Sequence, residues 1–151
     1  MSLDDLILWL QRGADRGFPG AALELSGHPG VGFILARSAG GPICFYRGRS
    51  LTLGEACSNG RFADGEDRAV VEEGLTDLMW MPSAGDLVIY GIGAARGHVS
   101  YLAEMGAHAG PSPEELHTFL LHPPTFSLPS SRLTRPSQLY SHFMAYREER
   151  R

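Results

Sequence analysis

No apolar stretch of this chain approaches the ~18 residues that a membrane-crossing helix requires, so no span of a bilayer is expected. Cysteine is scarce: Cys44 and Cys57 form neither a C-x-x-C pair nor a zinc-ligand spacing, and both are expected to be reduced and structural. Positive charge is also short. The 13 Lys and Arg against 17 Asp and Glu leave a net charge of −4, which gives no support to a nucleic-acid-binding surface. The one basic run, "REERR" at the C-terminus, alternates in sign and reads as a solvated helix end. The opening "MSLDDLILWL" carries acids and no basic n-region, so it does not read as a secretion signal, and cytoplasmic residence is the expectation. There is no G-x-S-x-G elbow and neither Ser100 nor Ser112 has a partner visible in sequence, so nothing points to acyl transfer. No internal repeat is present.

What the chain does have is turn chemistry. The 19 Gly and 10 Pro imply many turns between short elements, in a 151-residue chain long enough for one domain with a real core. Leu3, Leu6, Ile7 and Leu10 recur at helical spacing and predict an amphipathic helix over 3–13, capped by Ser2 or Asp4. "FPGAALELSGHPG" is punctuated by Pro and Gly and reads as loop with at most one helical turn. "VGFILARS" and "ICFYRG", joined by "GGP", predict a hairpin, with "RSLTL" as a candidate third strand. Val70, Val71, Leu75, Leu78 and Met79 predict a helix over 66–81, which Asp64 or Asp67 would cap. "DLVIYG" reads as a strand buried on both faces, and "LHTFLLHPP" as another stopped by its prolines. For "GHVSYLAE" periodicity does not separate a strand from a helical turn. "SQLYSHFMAYREER" predicts a closing helix over 137–149.

These elements add up to an α/β or α+β single domain over 1–151. Its small mixed β-sheet draws on the runs near 31–37, 43–47, 86–90 and 116–122, flanked by three helices.

Candidate chemistry is thin. "YGIGAARG" has G-x-G-x-x-x-G spacing rather than the dinucleotide fingerprint, and "GHPGVG" lacks the Lys-Ser/Thr of a phosphate loop, so both read as turns. Asp64, Glu66 and Asp67 would suit a divalent cation, though helix capping explains them more simply. Four of six histidines fall between His98 and His122. On a strand, His117 and His122, five apart, would point to opposite faces and not share a site. That leaves His108, in the glycine-flanked turn "GAHAG", as either a metal ligand or a polar turn residue.

The order of segments adds a resemblance. "HPGVGFILARSAGGPICF", "GRFADGED", "GDLVIYG" and "GAHAGPSPEELHTFLLHPPTFSLP" follow one another over 28–129. This series resembles the C-terminal third of bacterial members of the alkaline phosphatase superfamily, in the type I phosphodiesterase/nucleotide pyrophosphatase-like group. The resemblance implies that His108 matches a late metal-ligating histidine, with Gly110 and Pro111 in its glycine-rich continuation; Ala109 stands where the family has glycine. It implies a two-metal hydrolase of phosphate esters, with zinc or manganese in the full-length parent. The family's D-x-x-x-H and Asp-His ligands are missing here, as is its N-terminal Thr or Ser nucleophile. The chain is therefore expected to be inactive and metal-free alone, its partner an upstream catalytic segment of the parent. The rival expectation is a non-catalytic binding or interaction module.

Overall fold

Apolar four-residue runs separated by glycine-rich turns build the sheet, and the computed structural model describes the chain over residues 17–58, 65, 67–103 and 110–149. The helix expected over 3–13, Asp64, Glu66 and His108 lie outside the described residues. Strands β1 (Phe33–Ala36), β2 (Ile43–Tyr46), β3 (Arg49–Thr52) and β4 (Leu87–Tyr90) form one sheet in the order β3-β2-β1-β4. Every pairing is antiparallel, so the sheet is not the mixed one expected. Two hairpins in succession make β1, β2 and β3, and the chain then returns on the far edge of β1 in the opposite direction.

The β2–β3 turn is two residues long, with Arg47 at φ 47° and Gly48 at φ 71°. Positive φ at both central positions matches the right-handed twist of the flanking strands, which is why glycine is needed at the second. The Arg47 guanidinium lies 5.0 Å from the centre of the Tyr46 ring. Gly48 N–H donates to Ser26 Oγ, which itself donates to Leu23 O, so one buried hydroxyl joins the hairpin tip to the preceding helix.

That helix is a correction. α1 (Gly17–Leu25) occupies the segment read as loop. Pro19 sits in its first turn, where an N–H has no intrahelical acceptor to lose, so the proline does not oppose the helix. α2 (Leu53–Ser58) follows β3 with a reciprocal cap: Thr52 N and Oγ1 each donate to Glu55 Oε2 at 2.8 Å, and Glu55 N donates back to Thr52 Oγ1. α3 (Asp67–Trp80) agrees with the predicted helix. Arg37 Nη2 donates to the Met81 and Ala84 carbonyls just past it, tying the turn after the helix to the end of β1.

Strand alternation divides the core. Phe33 and Leu35 of β1 face Leu53, Ala56, Cys57, Val71, Leu75 and Met79 of α2 and α3. Ile34 and Ala36 face the other way, with Ala22 and Leu25 of α1. β1 is buried at all four positions because it is covered on both sides. β4 divides as its sequence predicts, Val88 and Tyr90 to the first face, Leu87 and Ile89 to the second. It is nevertheless half-buried throughout, because it lies at an edge rather than in the middle of the sheet.

The strand expected over 116–122 does not form. Ser112-Pro113 begins a short helix, α4 (Pro113–Leu116), and Leu116 packs against the α2–α3 face of the core. Proline at the first helical position is preset for that conformation, and the helix takes Leu116 from the run. Residues 117–123 follow without a ladder partner among the described residues. "GHVSYLAE" is neither strand nor helix over its described residues 97–103, apart from an isolated bridge between Ala94 and Gly97.

The chain divides into two compact units, Met1–His117 and Thr118–Arg151. The first holds the sheet and α1 to α4. In the second, a 3-10 turn (Pro136–Leu139) leads into α5 (Tyr140–Glu148), within the range predicted for the closing helix. Buried Phe126 anchors this unit, its ring 5.2 Å from Phe143 and 5.4 Å from Tyr146.

Candidate functional site

The edge strand β4 is followed by glycine, and backbone crowds closely around both Gly91 and Gly32. A Cβ at Gly91 would collide with the Val99 carbonyl, so only glycine lets the 97–103 segment approach this closely. Val99 N–H donates to Gly91 O at 3.1 Å and closes the loop after β4. The "GHPGVG" stretch reaches the same place: Gly32 N–H donates to Tyr90 O at 2.8 Å, Ala95 N–H to Pro29 O at 3.1 Å, and Tyr101 OH to Gly30 O at 3.1 Å. Both glycine-rich stretches are thus turns, as their sequences predict, and both serve to bring backbone together.

Between the loop after β4 and the start of α4 lies a cleft of about 260 Å³, lined by Ile89, Tyr90, Ile92, Tyr101, Leu102 and Glu115 together with Gly91, Val99, Ser100 and Gly110. At Gly110 a Cβ would meet the ends of the Ile92 and Glu115 side chains, which would have to move aside for it. His108, the residue singled out as a metal ligand, is two positions from Gly110 and outside the described residues.

Burial holds both cleft tyrosines protonated. It pushes Tyr101 up to about 12, and it raises Tyr90 with help from the negative charge of Glu115. Tyr90 also stacks on Phe33, with ring centres 4.5 Å apart.

Two chemistry-bearing residues meet where none were expected to. His117 Nε2 lies 2.7 Å from Asp67 Oδ2, across 50 positions of sequence. The contact pins the residue after α4 to the first residue of α3. Treating His117 as a strand residue hides this pair. The helix-start pattern "SPEE" at 112–115 is the available signal, since it places His117 at the end of a helical turn.

The other histidines are separate. His98 is exposed, and His28 Nδ1 accepts from Gly30 N–H inside its own turn. His122 belongs to the second unit, 5.6 Å from Phe126. Cys44 and Cys57 are free, buried in the core, and burial pushes the Cys57 thiol up to about 11, with the nearby Glu72 charge adding to the rise. Ser100 Oγ donates to Leu102 O. Among the described residues no three His, Cys, Asp or Glu side chains gather as metal ligands, and no helix is long and apolar enough to cross a membrane. No family model, curated protein or solved structure matches this chain.

Proposed function

We propose that the chain is the C-terminal domain of a metal-dependent phosphoesterase or phosphodiesterase that resembles the type I phosphodiesterase/nucleotide pyrophosphatase-like group, and that it is inactive alone. The observation that carries this reading is the order of four motif segments over 28–129. Supporting it, parts of three of them converge: in "HPGVG", Gly32 N–H donates to Tyr90 O while the Pro29 and Gly30 carbonyls accept from Ala95 and Tyr101 in the loop after it, and Gly110 borders the same cleft.

His108 offers one imidazole, and Asp67 and His117 are already bonded to each other. A catalytic zinc takes three protein ligands and an open position. The remaining ligands and the nucleophile are assigned to an upstream catalytic segment, the substrate to phosphate esters, and the compartment to the cytoplasm. A non-catalytic interaction module is the second reading. It is favoured by Phe119 and Leu121, 89% and 91% exposed, which a partner surface would cover.

The test is hydrolysis of a chromogenic phosphodiester with zinc or manganese, by the chain alone and then with the upstream segment of its reading frame. Silence alone and metal-dependent turnover on addition is the expected result. Turnover by the chain alone would refute the division of labour, and silence in both mixtures would leave the interaction module.

A further inference from the structure

The tip of the β2–β3 hairpin carries two positive charges that no described residue neutralises. Arg47 and Arg49 flank Gly48 and are exposed, and neither guanidinium forms an ion pair or a hydrogen bond with a described residue. In a chain of net charge −4 this is a local reversal of sign. Both side chains belong to one face of the hairpin. The Arg47 guanidinium lies over the Tyr46 ring, 5.0 Å from its centre. Arg49 is the cross-strand partner of Tyr46, so its side chain leaves the sheet on the same side as that ring.

The turn itself is fixed, and it is strained. Gly48 N–H donates to the buried Ser26 hydroxyl at 3.0 Å, which holds the tip against α1. Arg47 is the one non-glycine residue with positive φ among the described residues, at a position where such turns favour Asn, Asp or Gly. An L side chain strains the backbone there, and the fold gives Arg47 no internal ion pair in return. No described group accepts from the Arg47 N–H either, so the tip presents donors without acceptors.

We propose that this tip binds a phosphate dianion, as inorganic phosphate or as the phosphoryl group of a small ester. Two guanidiniums match a doubly charged ligand, whereas a single carboxylate would answer only one of them. Their planar forks donate to several oxygens of a phosphoryl group at once. The Tyr46 ring holds the Arg47 fork from below through its quadrupole, so less freedom is lost when the ligand arrives. Residues 46–49 lie outside the four motif segments, so binding here does not depend on the phosphoesterase reading.

The experiment titrates the whole chain at about pH 8, where phosphate esters are dianions, following backbone amide and arginine side-chain shifts at one low ionic strength. The probes are inorganic phosphate, phenyl phosphate, acetate and poly-glutamate. Both phosphates should saturate, with the largest shifts at Tyr46 to Ser50, and acetate should bind about tenfold or more weakly. Equal affinity for the two phosphates would assign recognition to the phosphoryl group alone, and tighter binding of phenyl phosphate would add the ester's body to it. Arg47→Lys and Arg49→Lys, which keep the charge and lose the fork, should each weaken binding. Arg47→Asn should abolish it while leaving the melting temperature equal or higher, because Asn-Gly suits this turn. Full binding by Arg47→Asn, acetate binding as well as phosphate, shifts centred elsewhere, or no saturation would each overturn the proposal. A response to poly-glutamate without one to either phosphate would overturn it in favour of an acidic macromolecule.

Discussion

His117 and Asp67, 50 positions apart in sequence, meet with Nε2 2.7 Å from Oδ2. The pair fastens the end of α4 to the beginning of α3, and so anchors the segment that follows Gly110. Its side chains are 62% and 20% exposed, which places it among surface pairs rather than buried ones. A double-mutant cycle with Asp67→Asn and His117→Gln should give a coupling of about 0.2–1 kcal/mol in urea denaturation at low salt. A coupling above about 2 kcal/mol would contradict that placement, because only a pair shielded from water reaches it.

The inner face of α3 is set by Val71, Leu75 and Met79, all buried, with Leu78 only half-buried beside them. Met79→Ala and Leu75→Ala should each cost ~2–5 kcal/mol. Leu78→Ala, which the sequence alone ranks as equal, should cost clearly less than either. Equal losses at 75, 78 and 79 would show that the helix is rotated from the orientation described.

Stability should fall at both ends of the pH range. The Cys57 thiol is raised from 9.0 to about 11 by burial and the Glu72 charge, so between those values the folded state holds a proton that the unfolded state has released. Its contribution is therefore complete below pH 9 and is lost as pH rises toward 11. Glu55 is shifted the other way by the hydrogen bonds from Thr52, so its contribution is present above the ordinary 4.5 and lost on acidification. Thermal melts from about pH 3 to 11 check both flanks; Thr52→Ala, which removes the hydroxyl but keeps the backbone N–H donor, should lessen the Glu55 part of the acid flank without abolishing it. Alkylation of Cys44 and Cys57 should proceed only in denaturant, and rapid labelling of the native protein at about pH 8 would contradict their burial.

How far the sequence is legible depends on whether local pattern and tertiary context agree. They agree in "FILA" and "ICFY", where β-rich runs meet glycine turns, and in α3, where the spacing of Val71, Leu75 and Met79 is helical. They conflict at Pro19, where a residue read as a helix breaker occupies the one turn that tolerates it. They conflict again at Leu116, where β-like composition yields to a Ser-Pro helix start. The β4 run is equally apolar at an edge as it would be at the centre, so its place in the sheet is not legible. The cleft and the Asp67–His117 pair depend on contacts between distant segments, which spacing along the chain does not encode.

The central claim is that this chain contributes one ligand, His108, to a metal site completed by an upstream segment. It is tested most directly by metal stoichiometry. The protein joined to that segment, and its His108→Ala variant, would be dialysed against zinc or manganese and analysed for bound metal per chain. The account predicts metal bound by the joined protein, a clear loss in His108→Ala, and little or none bound by this chain alone. Unchanged stoichiometry in His108→Ala, or tight stoichiometric metal on the chain alone, would contradict it.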